Sequence, residues 1–419
     1  MLRRRILRSL LLLCVAMGFS VATSVRAAQY SITFLDTLPI PPGTDPTVRD
    51  SFAYAINEQG DIVGESTLDR TGHIGQTRPV QWNGTSEAVE LWDDQTFGGK
   101  GLGINCAGFV VGRYGSGSGI PLPGPGIPGG GAFIWNPTTR QFMDLGDLGS
   151  ARAEATGIND AGHVSGSAEA LEVFIIDGMP VILPVPRAFI WDDVNGMHDL
   201  GTLEGNGEGS RGAAINNSGK VAGWSLMSDG TERAFIWDAA NGMQDLGALS
   251  MAFGSSGRAF AINDLDQIVG TWDGPEGGPF IWDSTDGIQR IASDAELQEL
   301  GVGFLPQSIN YFGAVVGFGE SVSGEPQAVY WERGVGLKLL ADLVQLDANW
   351  ELQAAFGIND RGQIVGTAYN TSDGRFRGFL LTPIPEPNSI ALWCMGGLAL
   401  GVSRYKTGKR CERGLLRAR

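Results

Sequence analysis

Five aromatic residues, Tyr114, Trp224, Trp272, Phe318 and Tyr369, stand where short repeated strands end. Aromatic faces in such places can stack on the C–H faces of sugar rings, and they are the candidate ligand face of this sequence. Packing between strands is the plainer role for the same residues. Other chemistry is poorly supported. The three histidines, His73, His163 and His198, fall at unrelated positions, whereas zinc sites and hydrolase triads rely on grouped ones. A G-x-G-x-x-G match at Gly207, Gly209 and Gly212 follows a turn and precedes a strand, the reverse of a phosphate-binding loop. Paired carboxylates could hydrolyse glycosides, but so many acids are present that the sequence singles out no pair. The segment Asn263-Asp264-Leu265-Asp266 offers clustered oxygens to calcium, yet the full loop motif is missing and turn chemistry accounts for these residues as well. No residue is therefore assigned a catalytic, cofactor-binding or metal role, and calcium is the one cofactor left open.

The elements that must position the aromatics are read from a repeat. Ile-Asn occurs at 56–57, 104–105, 158–159, 215–216, 262–263, 309–310 and 358–359. A glycine follows each Asn by three residues, except that Asp266 takes that place once, and a second glycine follows by seven every time. The spacing predicts a hairpin: a strand ending at Ile-Asn, a turn in which the Asn side chain bonds the backbone, and a residue tolerant of left-handed angles. Asp tolerates that region better than most residues. The second glycine marks a bulge or a close backbone approach.

A third strand ends in an aromatic at Trp82, Trp135, Trp191, Trp237, Trp282 and Trp331, with Leu381 in the seventh copy, and a fourth segment such as "GMHDLGTL" follows. Four short strands in about 47–57 residues predict a propeller blade. The seventh unit stops after its third strand, while "ITFLDTL" at 32–38 resembles a fourth. The expected fold is all-β: a seven-bladed β-propeller of four-stranded blades, closed by an N-terminal strand. An open β-solenoid is the alternative. The repeated Trp residues should pack between blades. The connections between second and third strands vary most, and in unit three "VFIIDGMPVIL" suggests an extra hairpin around Asp177-Gly178. Bulk on one face is expected over units one to three.

Composition bounds the setting. Arg3, Arg4, Arg5 and Arg8 precede an apolar run, and Val25 and Ala27 offer small residues for cleavage, so 1–27 reads as a secretory signal. Of the four cysteines only Cys106 lies in 28–383, which leaves no bridge within that body. Setting aside 1–27 and the tail after 383, 18 basic residues face 44 acidic ones, a charge of −26. Such a surface repels phosphate backbones and excludes nucleic acid as a partner.

The phrase, "RAFIW" and "GMxDLGTL", recurring in order over about residues 30–382, resemble the HAF repeat family of extracellular bacterial proteins. One departure is that Arg-Ala-Phe at 187–189 and 233–235, or Gly-Ala-Phe at 131–133, replaces His-Ala-Phe. The family carries no settled enzymatic activity. After residue 383, Pro385-Glu386-Pro387, an apolar run over 390–402 and the basic Arg404, Lys406, Lys409 and Arg410 resemble the PEP-CTERM sorting signal. That resemblance implies an exosortase-type partner, transient anchoring through 390–402 and delivery to the cell surface or matrix, in association with exopolysaccharide. Thirteen apolar residues are short for a stable span, which favours the transient anchor; an ordinary membrane anchor is the alternative for 384–419. The expected role is a non-catalytic binding scaffold for surface polysaccharide or a matrix protein. An extracellular glycosidase or lyase using paired acids is the alternative.

Overall fold

A computed structural model describes residues 30–39, 49–68, 76–92, 98–115, 130–205, 208–247, 256–273 and 277–385. The signal segment, Glu386, Pro387, the apolar run 390–402, His73, Gly207 and the connections 69–75 and 116–129 lie outside them.

Each repeat unit folds into one four-stranded antiparallel sheet, and seven such sheets surround an axis as a seven-bladed β-propeller. The blades span 51–90, 98–144, 149–199, 210–245, 257–290, 305–339 and 350–383. In the first six, sheet order follows chain order. In the seventh, the N-terminal strand Tyr30–Phe34 adds antiparallel to Arg375–Pro383 and supplies the missing outer strand. The chain then stitches blade 7 to blade 1. Leu35 is buried, Ser51 Oγ donates to its carbonyl at 2.8 Å, and Trp82 Nε1 donates to Asp36 O at 3.0 Å.

The third-strand aromatics lie in apolar clusters shared by adjacent blades. Phe189 and Trp191 of blade 3 pack with Val111 and Ile134 of blade 2. Phe280 and Trp282 of blade 5 pack with Ala222 and Ile236 of blade 4. A sheet with two apolar faces is stable only when both are covered, and the ring covers both. Leu381 fills the Trp place of blade 7 and is fully buried.

The recurrent phrase has a physical explanation at each position. Asn105 illustrates it: its Oδ1 accepts from the amides of Ala107 and Phe109, closing its own turn, and its Nδ2 donates to Asn159 O at 3.1 Å in the next blade. The same three bonds recur in every unit. Asn57 donates to Asn105, Asn159 to Asn216, Asn216 to Asn263, Asn263 to Asn310, Asn310 to Asn359, and Asn359 back to Asn57, at 2.9–3.2 Å. Seven buried asparagines thus form a closed circle. Asn is suited to it because one short side chain carries both an acceptor and a donor. The turn residue has positive φ, 78° at Gly219 and 61° at Asp266. The second glycine is fixed by crowding, since a Cβ on Gly223 or Gly270 would stand 2.0 Å from the carbonyl oxygen of Arg211 or Arg258.

Blade 3 departs from the others. Its second and third strands, Val164–Ile176 and Met179–Asp192, run on as a long hairpin that turns at Asp177-Gly178, where the extra hairpin is expected.

Candidate functional site: the axial channel and its mouth

The first strand of each blade is innermost, and each carries a register shift three residues before its Asn. The extra residue is Tyr54, Leu102, Thr156, Ala213, Phe260, Gln307 or Phe356 in blades 1 to 7. Antiparallel bulges leave one residue outside the ladder and re-aim its side chain. Here all seven line a cavity of about 210 Å³ on the axis. This ring is one residue thick and differs in every blade except for the two Phe.

Two of the five candidate aromatics touch this ring from outside the cavity lining. Trp224 and Phe318 directly follow the second glycine of their units. Trp224 meets Phe260 of the next blade edge-on at 6.1 Å, and Phe318 meets Phe356 at 6.2 Å. Phe356 continues to Tyr54 at 5.5 Å, so aromatic surface runs across blades 6, 7 and 1. The other three meet aromatic neighbours of their own blades instead of the ring. Tyr114 donates to Asp144 Oδ2 at 2.7 Å and meets Phe142. Trp272 is 6 % exposed and lies against Phe280 in the core. Tyr369 tilts against Phe376. The difference is one of register. Trp224 and Phe318 stand one residue past the glycine, Tyr114 and Trp272 two, and neighbouring strand residues face opposite ways. Tyr369, in a blade with a second register shift, stands three past.

Two similar charged modules border the channel. Lys100 and Arg258 stand at the same repeat position, five before Asn. Lys100 Nζ lies 2.8 Å from Glu65 Oε1 and 5.5 Å from the Tyr54 ring centre. Arg258 forms a bidentate pair with Glu232 and lies 5.5 Å from the Trp224 ring centre. Tyr54 also donates to Glu65 Oε1 at 2.6 Å, and burial followed by the Glu65 charge pushes its phenol well above the usual range. A cation, a ring face and a carboxylate held together provide a stacking surface flanked by hydrogen-bond donors and acceptors.

The opposite end of the channel is acidic. The residue after the Asn is acidic in four of the seven blades: Glu58, Asp160, Asp264 and Asp360. Their oxygens take backbone amides of the preceding blade: Glu58 from Asp360, Asp360 from Tyr311, Asp264 from Asn217 and Asp160 from Cys106, at 2.7–3.0 Å. Burial raises the carboxyls of Glu58 and Asp360, and neighbouring carboxylates add to the rise in both. The calcium candidate falls on this side. Asp264 accepts from Asn217, while Asp266 accepts from Asn216 and pairs with Lys220 at 2.6 Å. Its clustered oxygens are engaged in the turn and the circle. Among the described residues no three His, Cys, Asp or Glu side chains converge as a ligand set. His163 precedes a strand and His198 lies in an outer strand, far apart in repeat position. Pro385 ends the described residues in an exposed position.

The channel ring is absent from the aromatics chosen by strand ends. The signal that finds it is the one phrase-adjacent position, three before Asn, that stays variable while its neighbours repeat.

No protein-family model matches the chain, and no curated protein matches it. Among solved structures it is similar to a puromycin-hydrolyzing peptidase from Mycobacterium tuberculosis, with 13 % identity and a TM-score of 0.49 over 83 % of this chain and 56 % of that one. TolB from Acinetobacter baumannii is similar at 13 % identity and a TM-score of 0.38, over 57 % and 53 % of the two chains. The fucose-specific lectin from Aleuria aurantia is similar at 11 % identity and a TM-score of 0.36, over 71 % and 96 %. The chain spans about half the length of the peptidase and TolB chains. These likenesses concern fold alone, and the fold rests on the sheet topology above.

Proposed function

We propose that the protein is an exported, non-catalytic scaffold that binds surface or matrix polysaccharide at the mouth of its axial channel. The observation that carries the reading is the pair of cation–aromatic–carboxylate modules, Lys100–Tyr54–Glu65 and Arg258–Trp224–Glu232, beside the aromatic ring residues Phe260 and Phe356. Sugar rings present apolar faces and hydroxyl edges together, and such modules match both. Export through 1–27, and exosortase-type sorting through Pro385-Glu386-Pro387 and the segment after it, belong to the same proposal and rest on the resemblances of sequence. No described helix is long and apolar enough to cross a membrane, and 390–402 lies outside the described residues.

A hydrolytic reading draws on the raised carboxyls of Glu58 and Asp360, since shifted acids near a cavity are candidates for acid–base work. One fact weighs against it: both carboxylates already accept backbone amides.

The test is a binding screen of the purified chain against a polysaccharide array, with a parallel assay for released reducing sugar. Saturable binding without product is expected, and Trp224→Ala with Phe356→Ala should weaken it tenfold or more at unchanged Tm. Product release that Glu58→Gln abolishes would transfer the assignment to the hydrolytic reading. Binding unaffected by the double variant would remove the mouth from the proposal.

A further inference from the structure

Blade 3 carries a two-stranded ribbon whose edges differ chemically. The first strand of the blade covers Val164–Ile176 only as far as Ala170, opposite Gly149, and the fourth strand covers Met179–Asp192 only from Phe189. Beyond these points, among the described residues, the ribbon projects without a further strand to Asp177-Gly178, where φ values of 52° and 79° make a two-residue hairpin turn. One of its faces is apolar and open: Leu171, Val173, Ile175 and Ile182 are 52 %, 62 %, 69 % and 62 % exposed.

The turn sets which backbone groups point outward. Ile176 and Met179 flank it and are hydrogen-bonded to each other, so the alternation of an antiparallel pair turns the groups of 171, 173 and 175 away from one edge. From the other edge it turns those of 180, 182, 184 and 186. Three of these last four are Pro180, Pro184 and Pro186, which have no N–H to offer. That edge is closed to strand addition. The edge of Leu171, Val173 and Ile175 has no proline, glycine or charge at its outward positions, and a long apolar edge of this kind is a template for another strand.

We infer that this open edge pairs antiparallel with the same edge of a second copy of the chain, about a two-fold axis at Val173. The register is self-complementary: Leu171 faces Ile175 of the second copy, Val173 faces its counterpart, and no charge opposes another. Five residues paired in this way give about six main-chain hydrogen bonds. The outward-bonding residues carry their side chains on the open apolar face, so pairing brings both sets of Leu, Val and Ile side by side. The proline edge decides the stoichiometry. With both edges open, copies would add without end; with one blocked, addition stops at a closed dimer.

The test uses the full chain and measures mass against concentration by sedimentation and light scattering. A reversible dimer is expected. Val173→Pro removes only an outward N–H, as the three native prolines do, and should raise the dimer dissociation constant about tenfold or more at unchanged Tm. If it lowers Tm, Val173→Lys decides, because it keeps the backbone donor and sets two like charges at the axis. A monomer at every concentration, or a dimer indifferent to both variants, would overturn the inference. So would a dimer lost on Ile182→Ser but retained in Val173→Pro and Val173→Lys, since that would mean face packing instead of edge pairing.

Discussion

Two rings of seven residues encircle the axis, three residues apart on the same strands. The Asn ring is identical in every blade; the channel ring reads Tyr, Leu, Thr, Ala, Phe, Gln and Phe. The Asn side chains are buried and each bonds its own turn and the next blade, so any change breaks contacts in two blades. The channel residues are bulge residues aimed into a cavity, where the fold asks only that something fit. Repetition thus marks what builds the propeller, and variation at a shared position marks where the fold leaves the side chain free to differ.

The comparison can be broken most forcefully at ring closure. Deleting residues 29–40 removes the outer strand of blade 7 and the stitching to Trp82, while leaving the Asn circle chemically intact. The expected outcome is loss of the cooperative thermal transition followed by circular dichroism. A sharp transition within a few degrees of the parent would mean that the inner circle alone suffices.

The next effect separates the rings directly. Asn105→Ala orphans the turn amides of Ala107 and Phe109, leaves the Asn159 carbonyl with the Gly162 amide alone, and should cost roughly 2–4 kcal/mol in denaturant unfolding. Leu102→Thr, which installs the residue blade 3 has at that channel position, should cost less than about 1 kcal/mol. Asn105→Asp keeps the acceptor and loses the donor; an intermediate loss would apportion the cost between turn and circle. Equal costs for the Asn105→Ala and Leu102→Thr variants would dissolve the distinction.

The smallest effect concerns the acidic end. Glu58 and Asp360 have raised carboxyl pKa values in the folded state, so the folded protein holds their protons more tightly than the unfolded chain does. Their contribution to stability is full at pH below the ordinary carboxylate value of about 4 and is lost as pH rises through the raised folded values. Glu58→Gln with Asp360→Asn keeps the amide acceptors and removes the charge. The double variant should have a modestly higher Tm at pH 7 and a flatter decline of Tm above pH 4. An unchanged slope would mean that the neighbouring carboxylates do not strain the circle.

Much of this architecture could be read from residue types. The hairpin turns, the Asp266 exception, the strand that closes the ring and the blade 3 hairpin all follow from local rules of backbone angle and alternation, which act over a few residues. The shared burial of the third-strand Trp residues followed because a residue needed by every blade must serve the contact between blades. The candidate site was only partly legible. Trp224 and Phe318 do reach the channel ring, but Trp272, of the same residue type at a similar strand end, enters the core because it lies one residue further along.

The sequence by itself determined the count of blades, their strand order and where each chain reversal falls, because these depend on short-range spacing repeated seven times. Only the tertiary structure decided that the seven Asn side chains bond one another in a circle, that the bulge residues converge on one cavity, and that Lys100 reaches Glu65 and Arg258 reaches Glu232 across blade boundaries. Those contacts join residues 26 to 302 positions apart in the chain, and they exist only once ring closure sets the distance and angle between blades.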